Sequence, residues 1–259
     1  MKKVFMTMSL VALVVMTMTS CMHVKIGGED WSFGGHENNT PTQVHQVGEE
    51  TAMDPFDVVN VAGPFNVIFE QGEAPTVRVE GTTEQLGKMT IYVKDGELYI
   101  DQRKNESGNV FKGLQVFVTS PSIKGINLAG SGKVTAPKAL TSNDMKLELA
   151  GSGNITLAQL TCKDLVIEVA GSGEVTTGPI QANKVTNEIA GSGDINLTGL
   201  TCKDIHNEIA GSGDIVLNNV NVENVKSDIA GSGDVILRGK VGSHQEDTAG
   251  SGKVHVNEK

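Results

Sequence analysis

Apolar and polar residues alternate along short segments of the chain, and from residue 121 onward the alternation recurs about every 20 residues. Alternate residues of a strand lie on one face, so a period of two predicts short strands with one buried side. No segment here keeps the 3.6-residue period of an amphipathic helix. Two sets of equivalent apolar positions carry the prediction: Ile195, Ile215 and Val235, followed two residues later by Leu197, Leu217 and Leu237.

The sequence Ala-Gly-Ser-Gly marks each repeat. Its seven copies are spaced 19 to 21 residues apart, which is too short for a strand-helix-strand unit of about 30 residues. Such a repeat can hold two or three short strands joined by corners, with successive turns stacked about 4.8 Å apart. It therefore predicts a parallel β-solenoid, or β-helix, with turns of about 20 residues. The quartets begin at Ala129, Ala150, Ala170, Ala190, Ala210, Ala230 and Ala249.

The segment before the quartets also alternates with a period of two. The runs "FNVIFEQG", "TVRVEG", "MTIYVKDGELYIDQ" and "GLQVFVTSP" read as strands, and "KDGE" supplies an Asp-Gly hairpin turn. We therefore predict a single all-β domain at residues 55–259. Within it, residues 55–120 form a strand-and-hairpin region and residues 121–259 form the solenoid.

The N-terminal residues have the features of an export signal. Lys2 and Lys3 precede a short apolar run, and small residues precede Cys21. This order is typical of a bacterial lipoprotein signal; an ordinary cleaved signal that leaves a free cysteine is the alternative. We predict a signal peptide at residues 1–20, a lipid on Cys21 that anchors the chain in the outer membrane, and a polar tether at residues 21–54. Whether the anchored chain faces the cell surface or the periplasm stays open.

Charge and cysteine content restrict the partners and the covalent bonds of the chain. The formal net charge of −10 at pH 7 disfavours binding to DNA or RNA. Cys162 and Cys202 lie two repeats apart, in matching "TCKD" phrases. Their Cα atoms would then be about 9.6 Å apart, too far for a disulfide, so we predict two free and buried thiols.

The Gly-Ser-Gly segment resembles two catalytic motifs only superficially. A phosphate-binding loop requires glycine five residues before its last glycine and Ser or Thr after the lysine, but Asn127 and Val134 occupy these places. A nucleophile elbow requires glycine two residues on either side of the serine, whereas Ala190 and Asp194 flank Ser192. All seven copies instead fit a corner, where glycine permits a positive φ and small side chains stack closely.

Acidic residues occupy two further sets of equivalent positions. Carboxylates about 4.8 Å apart repel each other, so they must face solvent, lie near lysines or bind cations. Neighbouring lysines favour solvation with local ion pairs, and calcium binding is the alternative. These acidic positions are the candidate ligand face, represented by Glu168, Glu188 and Glu208 in one set and Asp194, Asp214 and Asp234 in the other.

The run "FNVIFEQG" leads into "INLAGSGKV" and then into the serial "EIAGSGD" phrases. With these segments, the chain from about Phe56 onward resembles the putative auto-transporter adhesin head GIN domain family. This former domain of unknown function is abundant in envelope lipoproteins of Bacteroidetes. The resemblance covers roughly four fifths of the chain. It implies an all-β, solenoid-like exported protein with an adhesin role, and it supplies no catalytic residues.

These patterns favour a non-enzymatic, lipid-anchored envelope protein whose solenoid face binds a glycan or another surface protein. Lipidated Cys21 provides the membrane contact, and we predict no catalytic residue, metal or cofactor. Two alternatives stay open. One is a polysaccharide lyase or glycosidase, which rests on the fold analogy alone. The other is a structural envelope protein without a ligand.

Overall fold

The computed structural model describes residues 22–26, 29–33, 44, 46–103 and 108–257. The chain divides into two units, residues 1–35 and residues 36–259. In the first unit, β1 (Met22–Ile26) and β2 (Glu29–Phe33) pair in antiparallel fashion, so the predicted tether contains a strand pair. The predicted signal peptide and the predicted lipid site Cys21 lie outside the described residues.

The second unit begins with strands that surround one short helix. Helix α1 has a capping box, in which Thr82 and Gln85 satisfy each other's backbone N–H groups. The elements are β3 (Glu50–Ala52), β4 (Val58–Ala62), β5 (Asn66–Gln71), β6 (Thr76–Glu80), α1 (Thr83–Gly87), β7 (Met89–Lys94), β8 (Glu97–Gln102), a 3-10 helix (Gly108–Phe111) and β9 (Gln115–Ser120).

The remaining strands form the stacked turns that the quartets predict, and the all-β parallel solenoid is confirmed. Neighbouring turns pair in parallel with a shift of one repeat. These strands are β10 (Gly125–Gly130), β11 (Lys133–Thr141), β12 (Asp144–Gly151), β13 (Asn154–Thr161), β14 (Asp164–Gly171), β15 (Glu174–Thr177), β16 (Ile180–Gln181), β17 (Lys184–Gly191), β18 (Asp194–Thr198), β19 (Leu200–Gly211), β20 (Ile215–Gly231), β21 (Val235–Gly250) and β22 (Val254–Asn257).

Each complete turn contributes to three sheet faces. Face A holds the strand segments that end at the quartet, such as β14 and β17. Face B holds the segments just after the quartet, such as β15 and β18. Face C holds the short segments that follow, such as β16 and the first residues of β19. The predicted apolar columns are confirmed, since Ile195 pairs with Ile215 and Leu197 with Leu217, and all four side chains are fully buried.

The parallel stack also extends below the first quartet. Strand β4 pairs in parallel with β10 on one side and with β8 on the other. Strand β5 likewise lies between β11 and β9. The register aligns Ala62 with Ala129, so Gly63 continues the column of corner glycines and has a positive φ of 139°. Parallel stacking therefore begins before residue 121, inside the region interpreted as strands and hairpins.

The two ends of the stack are covered differently. At the N-terminal end, β7 and β6 pair in antiparallel fashion with β8 and β9, and β7 and β8 are joined by the predicted Asp-Gly turn. At the C-terminal end, the last turn places exposed polar residues where the preceding turn buries its side chains. His244, Glu246 and Thr248 stand opposite Val225, Ser227 and Ile229 and are exposed. Polar end turns prevent other strands from pairing with an apolar edge.

The cysteine prediction is confirmed for the bonding state and only partly for burial. Cys162 and Cys202 are both free. Cys202 is buried, but Cys162 is half-buried because it follows the end of β13 at the corner between faces C and A. Among the described residues, no helix has the length and apolar character needed to cross a bilayer.

Candidate ligand-binding face

The quartet forms the corner between faces A and B in every turn. The first glycine of each quartet has a φ between 116° and 144°, a region that L-residues with a side chain rarely adopt. A Cβ on the second glycine would lie only 1.9 to 2.6 Å from a backbone oxygen of the turn below. The seven serines between these glycines are exposed. The structural role predicted for the quartet is therefore confirmed.

The outer side of face A carries one continuous column of polar residues, which we call the polar column. Its members pair in register from β8 to β21, so they lie directly above one another along the stack. The column runs Tyr99, Asn60, Asn127, Glu148, Glu168, Glu188, Glu208, Asp228 and Asp247.

The carboxylates of the polar column that lie nearest its N-terminal end are buried. This corrects the expectation that they face solvent. Glu148 and Glu168 are only 3% and 5% exposed. Lys146 forms an ion pair with Glu148, and its Nζ lies 3.3 Å from Glu168 Oε1. Burial alone would lower the pKa of Lys146, but its two carboxylate neighbours raise it above the usual value. The expected lysine pairing is therefore present, between buried carboxylates and a partly exposed lysine.

The next carboxylates toward the C-terminal end of the polar column, Glu188, Glu208 and Asp228, are half-buried and face solvent in part. Burial raises the pKa of Glu188, and the neighbouring Glu168 and Glu208 raise it further. Near the top, Lys226 pairs with Asp228, and His206 Nε2 lies 3.8 Å from Asp228 Oδ2. This part of the column offers partly accessible hydrogen-bond acceptors at a regular spacing of about 4.8 Å.

The second predicted acidic set lies across the corner, at the start of face B. Oδ1 of Asp194 accepts a hydrogen bond from the backbone N–H of Asp214 at 2.9 Å. Asp214 accepts from Asp234 at 2.8 Å, and Asp234 accepts from Lys253 at 2.9 Å. One oxygen of each carboxylate therefore connects two turns, which assigns these aspartates a structural role in addition to the predicted ligand role.

A pair of stacked tyrosines ends the polar column at the N-terminal side, and the sequence interpretation missed it. Tyr92 and Tyr99 stand opposite each other on β7 and β8, with ring centroids 5.1 Å apart and 11° between the ring planes. They are the only two tyrosines of the chain. Their positions flank the Asp-Gly turn symmetrically, which is the signal in the sequence that could have placed them together.

Hydrogen bonds connect the tyrosine pair to the polar column. Tyr99 Oη donates to Glu97 Oε2 at 2.8 Å, and Asn60 Nδ2 donates to the same oxygen at 2.8 Å. The amides of Asn60 and Asn127 are hydrogen-bonded to each other at 2.8 Å. On the other side, Tyr92 Oη donates to Asp101 Oδ2 at 3.4 Å. The aromatic, amide and carboxylate groups thus form one hydrogen-bonded row, in which Asn60 and Asn127 are buried.

Asp101 makes stability depend on pH. Burial raises the pKa of its carboxyl group from 3.8 to about 6, so the folded chain binds this proton more tightly than the unfolded chain. The stability that this bound proton contributes to the folded chain is present below about pH 4 and is lost as the pH rises through about 6. We expect Asp101→Asn to raise the free energy of unfolding by about 1–2 kcal/mol at pH 7.5, and this gain should vanish near pH 4. Denaturant unfolding of both proteins across this pH range measures it.

Asp95→Asn is the matched control for this experiment. Asp95 is exposed at the turn of the same hairpin and has a positive φ of 53°, which asparagine also tolerates. The control should change stability by less than about 0.5 kcal/mol across the pH range. A gain for Asp101→Asn that is equal at pH 4 and pH 7.5 would contradict the assignment.

The described residues contain no group of three His, Cys, Asp or Glu side chains arranged to hold a metal ion. The predicted face residues are brought together in two rows. Glu168, Glu188 and Glu208 are successive neighbours on face A, and the aspartates are successive neighbours on face B. These carboxylates can accept hydrogen bonds from donor groups spaced along an extended ligand.

The fold also occurs in solved structures. A putative adhesin from Bacteroides fragilis is 22% identical, with a TM-score of 0.75, and the match covers 82% of this chain and 95% of that one. A putative lipid binding protein from Parabacteroides distasonis is 24% identical, with a TM-score of 0.64 and coverage of 82% and 96%. A putative adhesin from Parabacteroides merdae is 19% identical, with a TM-score of 0.62 and coverage of 82% and 95%.

The comparison with curated proteins gave no match. A family model matches residues 55–219 and, in a second segment, residues 205–258. Its description, an adhesin head, supports an adhesin-like role at the cell surface or envelope. Because the match extends over most of the sequence, the chain belongs to the family described as putative auto-transporter adhesin, head GIN domain.

Proposed function

We propose that this protein is a lipid-anchored adhesin of the outer membrane that binds an extended glycan or a surface protein through its polar column. The lipid on Cys21 provides the membrane anchor, and the solenoid carries the binding face. The protein performs no catalysis in this proposal. The observation that carries it is the row of partly exposed carboxylates formed by Glu188, Glu208 and Asp228.

A repetitive row suits an extended ligand for a geometric reason. Equivalent side chains recur about every 4.8 Å, so a polymer lying along the stack meets the same acceptor at each turn. The hydrogen-bonded backbone of the stack fixes these acceptors before the ligand arrives, which reduces the entropy lost on binding. Carboxylates form stronger hydrogen bonds with hydroxyl and amide donors than neutral acceptors do.

The test compares binding by the detergent-solubilised full chain and by the double variant Glu188→Gln/Glu208→Gln. The probes are an array of neutral and acidic oligosaccharides and a set of purified outer-membrane proteins. We expect the double variant to bind its best probe at least about 10-fold more weakly, because two charged acceptors become neutral. Amides of the same shape keep the packing close to that of the original side chains.

Glu223→Gln is the control, because Glu223 is exposed on a different part of the turn. It should leave binding within about 2-fold of the original protein, since surface substitutions away from a site have small effects. Absence of binding to every glycan and protein probe, or equal binding by the double variant, would refute the proposed function.

A further inference from the structure

One ring face of Tyr92 is not covered by its stacking partner Tyr99. Tyr99 covers one side of the Tyr92 ring. Strand β7 pairs only with β8 among the described residues, so Tyr92 stands on the last strand of the sheet at this end. Its side chain is partly exposed. A flat ligand can therefore stack on the side of Tyr92 that faces away from Tyr99.

The rings are held in position before any ligand binds. The hydroxyl groups of both tyrosines donate to carboxylates, Tyr99 to Glu97 at 2.8 Å and Tyr92 to Asp101 at 3.4 Å. Burial is the main reason that the pKa of Tyr92 is raised to about 12, with Asp101 adding to it, so its hydroxyl stays protonated at physiological pH. A fixed ring loses little side-chain entropy when a ligand stacks on it.

An unfilled acceptor lies near the hydroxyl end of the Tyr92 ring, on the neighbouring strand β8. Oδ1 of Asp101 is buried and has no hydrogen-bond partner in the part of the chain that the structure describes. The χ2 torsion of aspartate is broad, so a small rotation can bring this oxygen toward a donor at the edge of the Tyr92 ring. A ligand hydroxyl at this edge would supply the donor that Oδ1 lacks.

We propose that Tyr92 and Asp101 form a sugar-binding subsite, in which a pyranose ring stacks on Tyr92 and donates a hydroxyl hydrogen bond to Asp101. A pyranose has an apolar C–H face and a rim of hydroxyl groups, which match the aromatic face and the carboxylate at its edge. The inference rests on the proposed function and narrows its ligand to a glycan.

A cationic ligand fits the site less well. Recognition of an ammonium group uses several aromatic faces arranged around the charge. Here the two rings are nearly parallel and cover each other, which leaves one face. A single open face with hydrogen-bond acceptors at its edge suits a flat polyhydroxylated ring.

The experiment measures binding of the detergent-solubilised full chain to an array of neutral and acidic oligosaccharides, with the strongest array ligand then titrated in solution. We expect Tyr92→Ala to weaken this binding at least about 10-fold, because the stacking surface is lost. Tyr92→Phe keeps the ring and should bind within about 3-fold of the original protein. A melting curve of each variant shows whether it is folded.

A second measurement needs no variant. The chain has two tyrosines, so their ring signals are few in an NMR spectrum, and saturating ligand should shift those of Tyr92. Unshifted tyrosine signals, or full binding by folded Tyr92→Ala, would overturn the inference. If Glu188→Gln/Glu208→Gln abolishes binding while Tyr92→Ala does not, the proposed function stands and this subsite is wrong. Binding of only surface proteins would likewise leave the proposed function standing and overturn this subsite. Binding of a choline probe and of no sugar would overturn both.

Discussion

Gly213→Ala is expected to destabilise the solenoid by more than about 4 kcal/mol, enough to unfold the turns around it. A Cβ at this position would lie 1.9 Å from Gly193 O and 2.9 Å from its carbonyl carbon. Both atoms belong to the backbone of the turn below, which cannot move aside without breaking its own stacking. Thermal unfolding followed by circular dichroism measures the effect.

Ser212→Ala is the matched control in the same corner. Ser212 is exposed, and its contribution to the stack is a backbone N–H that donates to Gly191 O at 2.8 Å. Alanine keeps this bond, so the free energy of unfolding should change by less than about 0.5 kcal/mol. Similar melting temperatures for Gly213→Ala and Ser212→Ala would show that close backbone stacking does not require the glycine.

Asn207→Leu is the second substitution with a large expected effect, a loss of about 2–4 kcal/mol in the free energy of unfolding. Asn207 is fully buried, accepts from Asn187 Nδ2 at 2.9 Å and donates to Ser227 Oγ at 3.1 Å. Leucine has a similar size but leaves both neighbouring polar groups without these bonds. Urea unfolding measures the change.

The triple variant Asn187→Leu/Asn207→Leu/Ser227→Ala tests the reason for this effect. It removes the whole buried row of polar groups, including Asn187 Oδ1, which has no hydrogen-bond partner among the described residues. Replacing a hydrogen-bonded group together with its partners by apolar groups can leave the free energy of unfolding nearly unchanged. We therefore expect the triple variant to recover most of the lost stability. A triple variant as unstable as the single one would indicate that packing, rather than unsatisfied polar groups, determines the cost.

The fold could be predicted from the sequence because the quartet fixes the register of each turn. An exact motif at a nearly constant spacing aligns the apolar columns, as the pairing of Ile189 with Ile209 shows. The turn formed by β4 and β5 could not be found in this way. It shares only Ala62 and Gly63 with the quartet, and its neighbours in space, β8 and β10, lie far from it along the chain.

The candidate site could be predicted less completely. Regular spacing identified the acidic rows, but it could not show that Glu148 and Glu168 are buried beside Lys146. Spacing alone cannot show this burial, because Glu188 and Glu208 occupy equivalent positions and are partly exposed. The tyrosine pair belongs to the hairpin that ends the stack, where no repeat exists to draw attention to it.

The position of β4 has a consequence for how the molecule assembles. This strand lies between two later ones, with Val58 opposite both Glu97 and Gly125. The N-terminal layers must therefore form together, through pairings between distant segments, which is the slow step of β-rich folding. Once formed, they provide a template onto which each later repeat can add by contact with its predecessor alone. From this template we expect growth toward the C-terminus, where the polar last turn ends the stack.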